Sequence, residues 1–300
     1  MREQPLVSVL ITAYNRERYL PQALESVLAL KYPNFEVIVV DDASTDRTLA
    51  IAQRFAESDP RVRVFRNEEN LGDYPNRNRA ATLAQGKYLK YVDSDDIIYP
   101  YALDAMVEAM ERFPAAGLGM SDLPARPDTP FPVQLTPEEA YREYYLREQD
   151  LFGHGPLAAI IRTEPFRMVG GFSGINLVGD LELWVKLAAR FPVVLLPPGL
   201  TWWRQHEGQE YAQGIAAGVY PRLAYRVNVE ALTSPHCPLE GLAREQALAR
   251  VRRVQARTVL GLLRRGYARE AVRLYREGKT TPVRLVTALL PLRAHTHAAE

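Results

Sequence analysis

KYLKYVDSDD, residues 87–96, joins a strand-like run, Lys87 to Val92, to an acidic turn, Asp93-Ser94-Asp95-Asp96. Tyr, Leu and Val suit the pleated, half-buried surface of a sheet, whereas Asp and Ser suit turns, so the stretch predicts a strand that empties into carboxylates. Upstream, a helix over about Tyr74 to Gln85 is halted by Gly86, and Val62 to Phe65 predicts a short strand. Further out, FEVIVV (35–40) enters Asp41-Asp42-Ala43-Ser44, with Ser44 placed to cap a helix reaching about Glu57 and Asp46 in its first turn. LVSVLIT (6–12) is the first strand, and Leu20, Ala23, Leu24, Val27 and Leu28 repeat at helical spacing until Tyr32-Pro33-Asn34. Downstream, a helix over about Tyr99 to Phe113 stops at Pro114. Strands alternating with helices imply parallel pairing with right-handed crossovers, which puts ligands at the carboxyl ends of the strands. Both acidic clusters lie at such ends.

The remaining chain reads less sharply. Pro124, Pro127, Pro130 and Pro132 mark a loop over the sheet face, with Pro137 as the first residue of a helix. An apolar strand at Leu157 to Ile161, a Gly170-Gly171-Phe172 turn, a helix at Leu181 to Arg190 and a Pro-rich edge from Phe191 to Trp203 follow, and beyond Tyr220 the pattern is helical.

Composition removes several classes. Of 300 residues 47% are hydrophobic and 24% charged, with 37 basic against 36 acidic side chains, so the chain has material for a large core and is not disordered throughout. No run of 18 apolar residues occurs, and Met1 to Pro5 leads into too short an apolar stretch, with no small-residue cleavage site, for a signal peptide. The lone Cys237 forms no internal disulfide, and five scattered His residues offer no thiolate cluster for zinc, so a cytoplasmic setting is expected. Charge is uneven: residues 241–300 hold 13 basic against 4 acidic side chains, leaving 24 against 32 before them. There, Leu248, Val251, Val259, Leu262 and Leu263 share a helix with Arg250, Arg252, Arg253, Arg257, Arg264 and Arg265. That pattern fits a helix lying on anionic lipid, and equally one packed on the rest of the protein with a solvated Arg face. Val283 to Leu292 is too short to span a bilayer.

Alternate carboxylates in Asp93-Ser94-Asp95-Asp96 can hold a hard divalent cation that bridges phosphate oxygens, and the same turn also reads as a cap for the next helix. It is not an EF-hand, because Ile97 and Ile98 follow at once. Asp41-Asp42 can accept the N–H of a base or bond a ribose, or one of the pair can cap. Thr12 and Tyr14 can hydrogen-bond and stack on a base. Arg77 and Arg79, two apart on a helix, cannot share a face, so at most one reaches the site. No G-x-G-x-x-G follows the first strand, no P-loop occurs, and Gly72 is the only glycine before Gly86, which disfavours dinucleotide and P-loop ATP binding.

The set VSVLITAYN (7–15), FEVIVVDDASTD (35–46), NEENLG (67–72), RN (77–78), AQGKYLKYVDSDD (84–96), GDLELW (179–184) and WWRQH (202–206) resembles family 2 glycosyltransferases over roughly residues 5–210. The resemblance implies the GT-A fold, an α/β, Rossmann-like and mostly parallel sheet flanked by helices, spanning about 1–235, with a basic helical extension over 236–300. It implies inverting transfer from a nucleoside-diphosphate sugar, UDP-linked by expectation, with Mn2+ or Mg2+. The acceptor would be a saccharide or lipid-linked saccharide of bacterial surface-polysaccharide assembly, with peripheral membrane contact through the extension and no nucleic-acid partner. By motif position Thr12, Tyr14, Asp42, Arg77, Asp93 and Ser94 would bind the nucleotide, Asp95 and His206 the metal, and Asp180 would be the catalytic base. Gly179 stands where the family usually has Glu, and is read as letting the chain approach the sugar. Glu182 is the alternative base, or a solvent-facing helix residue. His206 could instead be a loop-exposed imidazole. Rival readings are a sugar nucleotidyltransferase, which would need glycines that TAYNRERYL lacks, and a non-catalytic nucleotide-sugar-binding scaffold.

Overall fold

The computed structural model describes residues 4–123, 129–147, 149–206 and 219–278. Two runs form the centre of the sheet: β1 (Val7–Ala13) pairs in parallel with β2 (Phe35–Asp41), Thr12 opposite Val40 and Ala13 opposite Asp41. Both are covered on both faces, which is why they read as continuous apolar runs rather than as alternation. β3 (Val62–Arg66) extends the sheet beyond β2, and β4 (Tyr88–Tyr91) pairs in parallel on the other side of β1. The helices between them, α1 (Leu20–Leu28), α2 (Thr48–Ser58) and α3 (Asp73–Leu83), supply the crossovers. Leu20, Ala23, Leu24 and Val27 of α1 are all buried, as their spacing predicts.

After the acidic turn the chain makes a strand of only two residues, β5 (Ile97–Ile98), then α4 (Ala102–Arg112), β6 (Leu118–Met120), β7 (Val133–Leu135) and α5 (Pro137–Leu146). α5 opens on a capping box between Thr136 and Glu139 with Pro137 in its first turn. A 3-10 turn (Pro156–Ala158) leads into β8 (Ala159–Arg162), followed by α6 (Thr163–Met168), α7 (Gly179–Ala188), β9 (Val193–Leu195) and β10 (Thr201–Trp202). The sheet runs β3-β2-β1-β4-β8-β6-β9-β7, with β8 and β7 antiparallel to their neighbours, while β10 pairs with β5 in a separate ribbon. The last described helices are α8 (Val219–Thr233), α9 (Gly241–Arg264) and α10 (Ala268–Glu277). Leu239 and Ala247 belong to the same apolar cluster as Trp184 and Leu89, so packing is continuous from the sheet into α9.

Four sequence expectations give way here. Ser44 does not cap α2: its hydroxyl accepts from the Asn15 N–H at 3.0 Å, and the N–H of Thr48 is taken by Asp46 at 2.9 Å. The Pro-rich stretch 191–203 is not an edge of the main sheet, because β9 lies between β6 and β7; its prolines flank the strand, and the edge strand on that side is β7, inside the expected loop. The helix expected from Leu181 starts at Gly179, which puts Asp180 in its first turn. The helix expected from Tyr99 starts at Ala102, because Ile97 and Ile98 are drawn into the ribbon with Thr201 and Trp202. Pro124, Pro127 and the segment Val283 to Leu292 lie outside the described residues.

Candidate active site

The carboxyl ends of β1, β2 and β4 open on a cleft of about 500 Å3 whose wall contains Thr12, Tyr14, Asp42, Arg77, Asp93, Ser94 and Asp95. β1 delivers Thr12 at its end, and Tyr14, just beyond, is 44% exposed and offers its ring to the cleft. Asp42 is buried and organises the loop opposite: its carboxylate accepts from the side-chain amide of Asn67, the N–H of Leu71 at 2.9 Å and the N–H of Gly72 at 3.0 Å. Gly72 adopts φ +85°, a left-handed conformation that glycine adopts without penalty, and α3 begins immediately after it. Asp41 caps no helix: its Oδ2 accepts from the N–H of Ser44 at 3.1 Å and closes the turn after β2, while α2 starts at Thr48 without a side-chain cap.

In the acidic turn each carboxylate has a different partner. Asp93 accepts from Arg77 Nη2 at 2.6 Å, and Arg77 Nε donates to Asp73 at 2.8 Å, so a buried guanidinium bridges α3 and β4. Asp95 Oδ2 lies 3.3 Å from Arg16 Nε and 3.0 Å from His206 Nε2. Asp96 is buried and accepts from the N–H of Arg204 at 2.8 Å; burial, with Asp93 nearby, pushes its carboxyl up to about 8. The helix-cap reading of this turn fails, because α4 has no side-chain cap. Arg79 turns away, donating to the carbonyl of Arg66 at 3.2 Å, so Arg77 alone of the pair faces the cleft.

His206 is not a loop-exposed imidazole. Its side chain is 15% exposed, as is that of Asp95, and its ring stacks on Tyr19 at 4.8 Å between centroids. Arg204 holds this segment down, donating through Nε to the carbonyl of Asp95 at 2.6 Å and through Nη2 to Gln22 at 2.8 Å. Below the turn, the fully buried Lys90 donates to the carbonyls of Leu157 and Ala159, and burial pulls its ammonium down to about 7.

Asp180, half-buried in the first turn of α7, is not among the residues that line this cleft. Its Oδ1 accepts from the N–H of Leu181 at 2.8 Å and, weakly at 3.5 Å, from the hydroxyl of Tyr74. Burial pushes its carboxyl up to about 6, opposed by the positive charge of Arg77. Gly179 is explained by a neighbour, not by a sugar: a Cβ there would stand 2.8 Å from ring carbons of Tyr74. Glu182 does not face solvent. It is buried, bonded to Ser173 and paired with Lys186 at 2.8 Å, and opens on a separate cavity between α7 and α8. No role is expected from sequence for Arg16, Asp73, Asn76 or Trp203, all of which line the cleft, nor for Arg204. The one signal for Arg16 was its place just past the end of β1; for Trp203 and Arg204 it was the WWRQH motif itself.

The sequence profile of glycosyl transferase family 2 matches residues 8–166. TuaG of Bacillus subtilis (strain 168), a glycosyltransferase named for teichuronic acid biosynthesis, is 38% identical over 191 residues, covering 61% of this chain and 72% of its own. EpsE of the same strain, named as a glycosyltransferase, is 29% identical over 204 residues, covering 62% and 68%. Among solved structures, S. aureus TarS 1-349 in complex with UDP-GlcNAc superposes with a TM-score of 0.64 at 22% identity, covering 94% of this chain and 79% of that one. A mannosyltransferase from Pyrobaculum calidifontis in complex with GDP-Man and Mn2+ gives 0.61 at 21% identity, covering 96% and 86%.

Proposed function

The chain belongs to glycosyl transferase family 2 and has the GT-A fold, and from that premise we propose that it transfers a sugar from a nucleoside diphosphate, UDP in the first instance, to a saccharide or lipid-linked acceptor of a bacterial surface polysaccharide. The observation that carries this reading is the convergence of Tyr14, Asp42, Arg77, Asp93 and Asp95 on one cleft at the carboxyl ends of parallel strands. Tyr14 stacks on the base, Thr12 and Asp42 fix its polar edge, and Asp93 and Ser94 face the ribose, with Arg77 setting the orientation of Asp93.

Asp95 and His206 supply one carboxylate oxygen and one ring nitrogen side by side, and no third His, Cys, Asp or Glu joins them among the described residues. Asp95 and His206 would hold Mn2+ or Mg2+, a pair of donors few enough to leave room for the oxygens of a diphosphate. When bound, such a cation neutralises charge on the departing nucleoside diphosphate. Asp180, raised toward neutrality, is matched to general-base work at physiological pH and takes the acceptor proton in a single inverting displacement. Residues 1–235 carry this chemistry, and 236–300 form the extension, whose exposed Arg face contacts anionic lipid peripherally.

Thermal-shift screening against nucleoside diphosphates and their sugars, each with and without Mn2+, tests the reading. Stabilisation of about 2.7 kcal/mol is expected at a hundredfold excess over Kd, larger with metal. No shift with any nucleotide would overturn it.

A further inference from the structure

Two arginines line the donor cleft, and they are held differently. Arg77 has only 9% of its side chain exposed and is locked at two points, Nη2 lying 2.6 Å from Asp93 and Nε 2.8 Å from Asp73. Arg16 is 35% exposed, and its Nε stands 3.3 Å from Asp95 Oδ2. Its Nη1 reaches the carbonyls of Tyr14 and Asn15 only at 3.3 and 3.4 Å, longer than ordinary hydrogen bonds, and its Nη2 has no hydrogen-bond partner among the described residues. The backbone around it is clamped to the loop after β2: the N–H of Arg16 donates to Thr48 Oγ1 at 2.7 Å, that of Asn15 to Ser44 Oγ at 3.0 Å and that of Glu17 to Asp46 at 3.1 Å. The main chain is therefore fixed, while the guanidinium can turn about its own side-chain bonds.

Asp95 Oδ2 also lies 3.0 Å from His206 Nε2, so the guanidinium of Arg16 meets the two side chains assigned to a divalent cation at a single oxygen. Asp95 shared with Arg16 is a weakened ligand, because guanidinium and cation compete for one negative charge and repel each other. A diphosphate in the same cleft offers the guanidinium another anion, whose oxygens match its planar fork better than one Nε contact does. We propose that Arg16 is a diphosphate-binding residue that competes with the divalent cation for Asp95 and gives this carboxylate up when the donor binds. Arg16 thereby couples the two affinities, and the coupling is equal in both directions. The inference rests on the glycosyltransferase reading, with Asp95 as a metal ligand.

Two binding measurements on the full chain test it, neither of which reads turnover: Mn2+ affinity without nucleotide, from the paramagnetic resonance of the free ion, and UDP affinity without metal, from calorimetry. Arg16→Gln should bind Mn2+ about tenfold more tightly than wild type and UDP about tenfold more weakly, within the usual range of coupling between sites, with uridine affinity unchanged. Arg16→Lys keeps the charge and should stay near wild type for Mn2+. In an Asp95→Asn background Arg16→Gln should leave Mn2+ affinity where it was, because the group competed for is gone. Mn2+ binding by Arg16→Gln that equals or falls below wild type, or UDP and uridine weakened alike, would overturn the proposal and leave the transferase reading standing. No UDP binding by wild type would overturn that reading, and with it the diphosphate role of Arg16, whatever the Mn2+ titrations give.

Discussion

At Asp95 a single carboxylate oxygen meets Arg16 Nε at 3.3 Å and His206 Nε2 at 3.0 Å. Asp95→Asn keeps the shape and loses the charge, and a neutral amide oxygen is a poorer ligand for a hard cation. Lower donor turnover and a flattened dependence on Mn2+ concentration are expected; a wild-type metal titration would leave Asp95 a purely structural residue. Asp180 makes a second test. Its carboxyl, raised from 3.8 to about 6 by burial, binds its proton more tightly folded than unfolded. The penalty on stability is therefore absent below about pH 4 and fully present above about pH 6. Asp180→Asn should raise the melting temperature at about pH 8 and leave it unchanged at about pH 4, a melting-curve comparison whose failure would place the charge in solvent. The sequence exposed Asp42, Asp93 and Asp95 because each follows an apolar run. It concealed the ties of Asp95 to Arg16 and His206, which come from distant segments and leave no local pattern.

Elements long enough to show a period were legible, and shorter ones were not. β1, β2, α1 and α5 follow their apolar spacing and caps, whereas β5 and β10 have two residues each and β7 and β9 three, too few for any periodicity to register. Ser44 looked like a cap because its type suits one, but the N–H of Thr48 is taken by Asp46, which lies before α2 rather than in its first turn. The opening of α7 against α3 gives a test at this scale. Gly179→Ala places a methyl group 2.8 Å from the Tyr74 ring, and overpacking of that kind costs about 1–3 kcal/mol. A lower melting temperature is expected, relieved in the Gly179→Ala/Tyr74→Ala double variant; unaltered stability in the single variant would show that the ring moves freely. The hairpin of α9 and α10 tests the membrane proposal: Arg264, Arg265 and Arg269 are exposed beside Leu263 and Tyr267. Replacing the three with Glu should abolish cosedimentation with anionic vesicles at low salt, since the attraction is electrostatic and falls within a Debye length. Vesicle binding equal at low and high salt would reduce the Arg face to a solvated surface.

Over the whole molecule, a sheet of eight strands directs its parallel carboxyl ends to one cleft, and the later half of the chain wraps around that sheet to deliver His206, Arg204 and Asp180. α9 packs against this frame, burying Ala247 in the cluster that contains Trp184. Among the described residues no helix is long and apolar enough to cross a membrane. In the proposed function two tasks are separated, donor binding in the cleft and proton removal by Asp180 at the start of α7. The direct test is release of nucleoside diphosphate from its sugar donor by wild type and by Asp180→Asn, alongside calorimetric donor affinity for both. Donor affinity within about twofold of wild type and a release rate lower by about 10²–10⁴, the usual contribution of a general base, is the expected result. Near-normal release by Asp180→Asn would contradict the account.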